Sequence, residues 1–356
     1  KIIHFSGGNM SLNLQLQLLF YDRPKEMHHV RSKVQSCIDL ESFINEFYNH
    51  SKTRSLLLHR LNSIDQIIYE SKQSNIEWLD IQDEEYPPYF HQLVDPPLVI
   101  FYKGDIRILS DRTLGIVGTR CPSLLANQRM KLMVKMIRDF VIVSGGALGI
   151  DTFAHQLAIS KNLPTIAVLA CGLDQLYPKT NQLLFTNILD HSGCLISEYP
   201  AGVQPKPYFF PQRNRLIAAL SSKLIVIEAA LKSGAVITAN LATEMGIDVA
   251  AMVGSFNAPE SVGCYALIND GATAIGSISD FCEFINLFYD VVDSNENDYS
   301  IESLILSKIS SEPIHLEDLA NHCRLSVHEI IEYITTLSLN DRVRLSSGHM
   351  VSKHEF

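Results

Sequence analysis

Residues 210–229 have the sequence FPQRNRLIAALSSKLIVIEA, in which a helical pattern is followed by a short apolar run. The run, Leu224–Ile227, consists of Leu, Ile and Val and lacks the polar alternation of a strand with one face in water. Such runs are typical of strands that are buried on both faces of a parallel sheet. A helix followed directly by a buried strand predicts one repeat of an α/β fold.

Two arginines, Arg213 and Arg215, flank Asn214 at the predicted start of this helix. The N-terminus of a helix carries partial positive charge, so a cation there costs a few tenths of a kcal/mol up to about 1 kcal/mol. The chain as a whole is acidic, with a formal net charge of −10. The helix alone therefore does not explain the two arginines.

The same alternation of strand and helix extends on both sides of this stretch. The further predicted strands are Leu114–Val117, Val141–Ser144, Thr165–Ala170, Leu195–Ser197 and Val249–Val253. The helical patterns between them are Asn127–Phe140, Asp151–Lys161, Asn181–His191 and Gly234–Gly246. This alternation predicts an open, doubly wound α/β sheet with parallel strands, in which ligands bind beyond the carboxyl ends of the strands.

The chain is long enough for several domains, and its patterns predict four segments. Residues 10–75 contain the helical patterns Leu12–Phe20, Ser42–Tyr48, Ser55–Leu61 and Ile64–Ser71 and form a predicted helical domain. Residues 76–285 form the α/β domain, and residues 286–299 an acidic linker. Residues 300–356 contain three helical patterns, Ile301–Ile309, Leu316–Cys323 and Ser326–Leu339, and a hairpin pattern over 342–353, which together predict a winged helix. Ser326 and Glu329 form a predicted capping box at the third of these helices.

Several classes of protein do not fit the composition. The seven cysteines include no C-x-x-C pair, which argues against a zinc site or a disulfide scaffold and favours a reducing, cytoplasmic setting. No apolar stretch approaches the roughly 18 residues of a membrane helix. The sequence contains neither H-E-x-x-H nor G-x-S-x-G, so we predict no metal, no cofactor and no catalytic activity.

Positive charge is concentrated in the middle of the chain. Residues 101–289 contain 15 Lys and Arg against 14 Asp and Glu, whereas the segments before and after are net acidic. Two groups of cations stand out: Arg120, Arg129, Lys131, Lys135 and Arg138, and then Lys206, Arg213, Arg215, Lys223 and Lys232. Local patches of this kind decide whether a polyanion binds, although Arg129–Arg138 also fits a solvated helix face.

Four loops that follow predicted strands carry glycines, cations or both. They are GIVGTR (115–120) with Gly118 and Arg120, SGGALGID (144–151) with Ser144, Gly145 and Gly146, GLDQLYPKTN (172–181) with Lys179 and Asn181, and FFPQRNR (209–215). Loops after parallel strands open on one edge of the sheet.

The glycine loop SGGALGID would let successive backbone N–H groups form an anion site, at a helix that Asp151 could cap. The alternative is that its glycines only allow close packing. Together the four loops fit a repeating anion such as a nucleic-acid backbone, with Phe209 or Phe210 available to stack on a base unless they are core residues.

Seven blocks, in order along the chain, resemble the DNA-processing protein A family (DprA/Smf). They are the three glycine-containing loops above, DEEYPPYF…DPPLVIFYKGD (83–105), SEYPAG…PYFFPQRNRLIAALS (197–221), IVIEAALKSGAVITA (225–239) and SVGCYALINDGA (261–272). The resemblance implies an extended Rossmann-like fold with an N-terminal SAM-like helical domain and a C-terminal winged helix. It also implies a homodimer that binds single-stranded DNA and loads the RecA recombinase on incoming DNA in natural transformation, with single-strand-binding protein as a further candidate partner.

The resemblance also implies a set of DNA-binding residues. Carried over by position, they are Arg120, Gly145, Gly146, Lys179, Asn181, Phe210, Arg213 and Arg215, to which we add Gly118, Ser144 and Asn214 from the same loops and Lys206 from the block 197–221. Strand phosphates would then supply the negative charge that the two helix arginines lack.

Two regions depart from the family pattern. GIDVAAMVGS (246–255) replaces a block that usually contains arginine and proline, and the predicted recognition helix carries Glu329, Glu332 and Asp341. We therefore favour protein contact over duplex binding for the winged helix.

Two other functions stay open: an enzyme similar to nucleotide phosphoribohydrolases, although Ser144 and Asp151 do not fit that chemistry, and a partner protein that does not bind DNA. An apolar element near the sheet edge, at Val249–Val253 or Val262–Ile268, is the predicted dimer surface.

Overall fold

The computed structural model describes most of the chain, in two compact units, Lys1–Phe288 and Tyr289–Phe356. The described residues are 10–23, 26, 30, 33, 40–48, 52–255, 258–287, 301–309, 313–323, 325–339, 342–346 and 350–353. Most of the predicted linker therefore lies outside them.

The larger unit is built on a nine-stranded sheet. Its parallel strands are β3 (Thr113–Val117), β4 (Val141–Ser144), β5 (Thr165–Leu169), β6 (Cys194–Ser197), β7 (Lys223–Val226), β8 (Asp248–Met252) and β9 (Thr273–Ile275). We did not predict β9, nor the two strands β1 (Glu77–Asp80) and β2 (Val99–Gly104), of which β2 pairs antiparallel with β6 and β1 antiparallel with β2. The prediction of a doubly wound, mainly parallel sheet is confirmed.

The strand order β1-β2-β6-β5-β4-β3-β7-β8-β9 contains a reversal of direction. From β3 the chain adds β4, β5 and β6 on one side, and it then returns to place β7 on the other side of β3. The carboxyl ends of β3 and β7 therefore flank a topological switch point. Open α/β sheets bind their ligands in the crevice at such a point.

Helices cover both faces of the sheet. Between the parallel strands lie Leu124–Met136, Ile150–Ser160, Gln182–Asp190, Phe209–Leu220, Gly234–Glu244 and Val262–Asn269, and Ile278–Phe284 follows β9. The helix Phe209–Leu220 packs its Leu216 and Leu220 into one apolar cluster with β4 and β7. The helices Leu124–Met136 and Ile150–Ser160 pack on the other face, with Ile116 and Ile142.

Four N-terminal helices whose bounds lie within the described residues pack on the sheet near β5 and β6. They are Leu12–Phe20, Leu40–Phe47, Lys52–Asn62 and Ile64–Gln73. Leu16 and Leu19 of the first helix share an apolar cluster with Leu169 and Leu195 of the sheet. The buried Gln17 fixes the same helix, because its side chain donates to Glu198 O at 2.8 Å and accepts from Leu98 N at 3.1 Å. The boundary at residues 75/76 stays a prediction.

The smaller unit has three helices and a three-stranded sheet among its described residues. The helices are Ile301–Lys308, Leu316–Cys323 and Val327–Leu339, and the strands Ile314–His315, Val343–Ser346 and Met350–Lys353 pair in the order first, third, second. Glu329 accepts from Ser326 N at 2.8 Å and its own N–H donates to Ser326 Oγ at 3.3 Å, so the predicted capping box is confirmed. The hairpin turn (347–349) and Asp341 lie outside the described residues.

One of the two elements predicted as a dimer surface lies inside the sheet. The strand predicted at Val249–Val253 is β8, and it lies between β7 and β9 with Ala250 and Ala251 fully buried. It is therefore an interior strand of the sheet and offers no free edge for a second subunit. Val262, at the start of the helix Val262–Asn269, is 45% exposed.

Candidate nucleic-acid interface

A cavity of about 680 Å³ opens at the switch point between β3 and β7, and we call it the switch-point cavity. Loops that follow five strands contribute to its wall. The lining residues are Val117–Arg120 after β3, Ala147 and Asp151 after β4, Tyr177 after β5, Pro207, Phe210, Pro211, Arg213, Asn214 and Ile217 after β6, and Ala230, Ser233–Ala235, Ile237 and Thr238 after β7. The four predicted loops thus meet at one place, as expected for the carboxyl edge of a parallel sheet.

An exposed cation and two accessible rings form one side of the cavity. The Arg120 guanidinium carbon lies 5.9 Å from the centroid of the Phe210 ring, within the distance of a cation–π contact. The Tyr177 ring is 5.9 Å from the same ring at an interplanar angle of 64°. Tyr177 is 48% exposed, and our sequence analysis did not identify it, although it lies in the same loop as the predicted Lys179.

The two adjacent phenylalanines have different environments. Phe209 is fully buried, and its ring centroid lies 4.1 Å from that of Tyr199. Phe210 is only partly buried and lines the cavity. Of the pair, therefore, Phe209 is a core residue and Phe210 is available to a ligand.

Arg213 lies deeper in the cavity wall. The helix begins at Phe209, so Arg213 is its fifth residue and lies beyond the first turn, where the helix dipole acts. Its Nη1 donates to the carbonyl of Val168, and its Nε donates to Asn214 Oδ1 at 3.3 Å. Its Nη2 donates no hydrogen bond to any residue that the structure describes. This nitrogen is therefore available to a ligand, although the side chain is 95% buried.

Asp151 is a second charged residue in the wall, and it alters the predicted anion site. Its carboxylate accepts a hydrogen bond of 3.3 Å from Ala147 N in the glycine loop. Burial raises the pKa of Asp151, and the nearby charge of Arg213 opposes this shift. The N-cap of the helix Ile150–Ser160 is Gly149, not Asp151 as we predicted. The loop thus differs from an open anion nest, because the chain's own carboxylate already uses one of its amides.

Close packing requires the glycines of this loop. A Cβ on Gly145 would lie 2.3 Å from Asp151 Oδ2 and 2.8 Å from Arg213 Nη2. A Cβ on Gly146 would lie 2.7 Å from Leu169, and Gly149 has a φ of +80° that favours glycine. A side chain at either of the first two positions would displace the buried groups beside it.

Two predicted site residues hold the glycine loop and the strand before it through hydrogen bonds outside the cavity. Asn181 Nδ2 donates to Gly146 O at 3.0 Å and to Thr152 Oγ1 at 2.8 Å. Ser144 is fully buried, and its hydroxyl donates to Ile116 O at 2.6 Å. Neither residue lines the cavity, and both hold its wall in place.

The structure does not bring Arg215 to the cavity. Arg215 points to the opposite face of the helix, where its Nη2 lies 2.5 Å from Glu198 Oε2 and its Nε 3.5 Å from Asp95 Oδ1. Glu198 is 98% buried, and burial raises its pKa although Arg215 opposes the shift. The negative charge that we expected phosphates to supply to Arg215 therefore comes from the chain itself.

The remaining predicted cations lie outside the cavity wall. Lys179 is exposed, and the Lys206 ammonium lies 5.8 Å and 5.5 Å from the ring centroids of Tyr208 and Phe209. Of the twelve predicted residues, Gly118, Arg120, Phe210, Arg213 and Asn214 line the switch-point cavity, and Gly146 lines a small adjoining one. Contact of DNA with Lys179 and Lys206 stays a prediction.

The segment 246–255, which departs from the family pattern, does not line the cavity. Asp248 lies at the amino end of β8 and forms an ion pair of 2.8 Å with Lys223 at the amino end of β7. At the other end of β8, Val253 O accepts a hydrogen bond of 2.5 Å from Arg129 Nη1. The departure therefore affects no residue that lines the switch-point cavity.

Fold and site together define a doubly wound α/β protein whose switch-point cavity is lined by an exposed arginine and two accessible aromatic rings. The model of the family described as "DNA recombination-mediator protein A" matches residues 77–286. The chain belongs to this family. None of the helices in the described part of the chain has the length and apolar character that a membrane crossing requires.

Individual relatives agree with this assignment. The chain is 38% identical to the DNA processing protein DprA of Bacillus subtilis over 221 residues, which is 61% of this chain and 74% of the relative. The X-ray structure of DprA from Streptococcus pneumoniae superposes with a TM-score of 0.63 at 32% identity, covering 78% of this chain and 97% of that one. A structure of Helicobacter pylori DprA, described for its single-stranded DNA binding mode, superposes with a TM-score of 0.54 at 32% identity, covering 59% and 96%.

Proposed function

We propose that the chain binds single-stranded DNA at the switch-point cavity and passes it to a RecA-type recombinase, without a chemical reaction of its own. The observation that carries the proposal is the group formed by Arg120, Phe210 and Tyr177. An exposed guanidinium beside two accessible rings suits a strand whose phosphates need cations and whose bases need stacking partners. The likeness to a relative described by its single-stranded DNA binding mode supports the same proposal.

The same group favours a single strand over a duplex. A base can stack on Phe210 only if its face is free, and in a duplex both faces are covered by neighbouring base pairs. Phosphate attraction to Arg120 alone would not distinguish the two forms of DNA. The stacking surface is therefore the part of the site that selects single strands.

The carboxylates that an enzyme of this fold would need are engaged elsewhere. Glu228 accepts from Ser123 N at 2.9 Å and from the Ser123 hydroxyl at 2.5 Å, and Glu198 is paired with Arg215. Among the described residues that line the cavity, Asp151 is the only acid. This arrangement favours binding over hydrolysis as the function.

The test is the fluorescence anisotropy of a labelled single strand of about 35 nucleotides and of its duplex, measured over a range of salt concentrations. Neutralisation of about three to four phosphates gives a slope of log affinity against log salt of roughly −2 to −3 for single strands. Arg120→Ala should flatten this slope, and Arg138→Ala should not. Arg138 is also an exposed arginine, and it precedes β4 at the opposite edge of the sheet. Equal affinity for strand and duplex, or no binding at low salt, would reject the proposal.

The role in recombination needs its own experiment. We propose a homodimer that loads the recombinase onto strands covered by single-strand-binding protein, as the family description of a recombination mediator supports. RecA filament formation on covered strands should be faster with the protein than without it. An Arg120→Ala variant that still accelerates filament formation would separate loading from the cavity.

A further inference from the structure

We propose that a single strand longer than the switch-point cavity leaves it along the outer surface of the helix Leu124–Met136, where Lys131 and Lys135 bind its phosphates. The inference rests on the proposed binding of single-stranded DNA. It goes beyond that proposal, because neither lysine lines the cavity and neither is among the predicted site residues. The observation behind it is a strip of positive charge that begins beside Arg120 and has no matching acids.

The part of the chain that carries this helix is strongly basic. Residues 112–161 contain seven Lys and Arg against two Asp, and one of the two, Asp151, is buried in the cavity wall. Lys131 and Lys135 are exposed, and neither forms an ion pair with a residue that the structure describes. Their charges are therefore available to a polyanion at the surface.

The two lysines lie on one face of the helix, in line with its first residue. Leu124, Lys131 and Lys135 are seven and four residues apart, so they share a face, and all three are exposed. The helical rise places the two lysine positions roughly 10 Å and 16 Å from Leu124 along the axis. Helical side chains tilt towards the N-terminus, which in this helix follows the loop of Arg120. The strip therefore continues outward from the exposed cation of the cavity.

The neighbours of the two lysines leave their charge intact. Lys131 Nζ lies 5.9 Å from the centroid of the Phe153 ring on the next helix, within the distance of a cation–π contact. This contact orients the ammonium without neutralising it. Beyond Lys135, the exposed Asp139 directly follows Arg138 and offsets its charge. The strip of unmatched charge therefore ends at Lys135.

The other face of the sheet offers no comparable path. The helices Gly234–Glu244 and Val262–Asn269 contain neither Lys nor Arg. The helix Phe209–Leu220 does contain arginines, but Arg213 and Arg215 are 5% and 6% exposed. A strand that passes Arg120 therefore finds exposed cations on the face of Lys131 and Lys135 and none on the helices of the other face.

The experiment measures the fluorescence anisotropy of labelled (dT)6 and (dT)35 over a range of salt concentrations, because only the longer strand covers both the cavity and the strip. Each phosphate contact contributes about 0.7 to the salt slope for single strands. Lys131→Ala/Lys135→Ala should therefore reduce the slope on (dT)35 by about 1.4 and leave the slope on (dT)6 unchanged. The two lysines would thus account for two of the three to four phosphates expected on the longer strand.

The matched control is Lys72→Ala/Lys161→Ala, which changes the net charge equally. Lys72 is exposed in the helix Ile64–Gln73, and Lys161 is exposed at the opposite edge of the sheet from the cavity. The control should retain the wild-type slope on both strands. Since all four lysines are exposed, both variants should fold, and urea unfolding checks this.

The outcomes separate this inference from the proposed function. An unchanged slope on (dT)35 in Lys131→Ala/Lys135→Ala, or an equal reduction in the control, would overturn the inference. An equal reduction on (dT)6 would also overturn it, because the lysines would then act at the cavity itself. A slope that changes in Arg120→Ala alone would retain the proposed function and restrict the site to the cavity. No binding of either strand by the wild type would reject the proposed function.

Discussion

The two faces of the helix Phe209–Leu220 use the same residue type for different purposes. On one face Arg215 is paired with Glu198 and Asp95, so its charge is matched inside the chain. On the other face Arg213 lines the switch-point cavity, and its Nη2 has no hydrogen-bond partner among the described residues. Nε and Nη1 of Arg215 also lack a hydrogen bond, but they are enclosed by the protein. Two arginines two positions apart thus divide into one that stabilises the fold and one that is open to a ligand.

The difference has an energetic reason. A buried ion pair gains little over a pair of apolar side chains, because both charges must leave water. Removal of one member is costly, since the other charge is left buried without a partner. Arg215 therefore matters chiefly for stability, and variants of this residue that weaken DNA binding do not identify a DNA contact unless stability is measured too.

The largest effect on stability should come from a change on the helix face that carries Arg215. Arg215→Ala leaves Glu198 buried and unpaired, so the free energy of unfolding should fall by about 3–5 kcal/mol. Urea unfolding measures this change, and the double variant Arg215→Met/Glu198→Leu should recover most of it. Wild-type stability in Arg215→Ala, combined with lost DNA binding, would show that the two faces are not divided as described.

The pH dependence of stability should reveal the buried environment of His155. Burial, with a smaller effect from Arg213, lowers the pKa of His155 from 6.5 to about 4. Between these values the unfolded chain takes up a proton that the folded chain does not, so stability is lost as the pH falls from 6.5 to 4. The loss from this residue amounts to about 3 kcal/mol.

Urea unfolding at pH 6.5, 5.5 and 4.5 tests this expectation. Because other groups also titrate in this range, the comparison is between the wild type and His155→Gln, whose stability should fall less steeply. An equal loss of unfolding free energy with falling pH in the two proteins would contradict the described burial of His155.

Phe210→Ala should affect binding and leave stability nearly unchanged, since Phe210 is only partly buried. The loss of one stacked base costs about 1–3 kcal/mol of binding free energy. The salt dependence should stay the same, because no phosphate contact is removed. A flattened salt slope in this variant would mean that Phe210 positions Arg120 rather than a base.

The smallest effect should come from Arg120→Ala. Removal of one phosphate contact should change the salt slope for single strands by about 0.7. Because Arg120 is exposed, the free energy of unfolding should change by less than about 0.5 kcal/mol. Anisotropy in a salt series and urea unfolding check both statements, with Arg138→Ala as the control for each.

Much of the fold follows from the sequence, and the reasons are local. The interior strands β4 and β7 are continuous apolar runs, so their positions are predictable from residue type alone. The strand β2 was not predicted, since it begins buried at Val99 and ends exposed at Gly104, and its partner β6 lies far away in sequence.

The site was predictable in part. Residues two positions apart do not share a helix face, so the sequence already contained the signal that Arg213 and Arg215 point in different directions. The approach of Asp151 to Arg213 depends on how β4 and the helix after β6 are arranged, and no local pattern indicates it. Tyr177 could have been found by asking which rings share a loop with predicted cations.

The antiparallel edge of the sheet has a practical consequence for spectroscopy. Trp78, the single tryptophan of the chain, lies on β1 and packs against the apolar cluster of the N-terminal helices. Four strands separate β1 from β3, which places this indole roughly 24 Å from β3 in the direction across the sheet. Its emission therefore reports on the integrity of that edge, so a labelled oligonucleotide and the native fluorophore give two different optical signals from one sample.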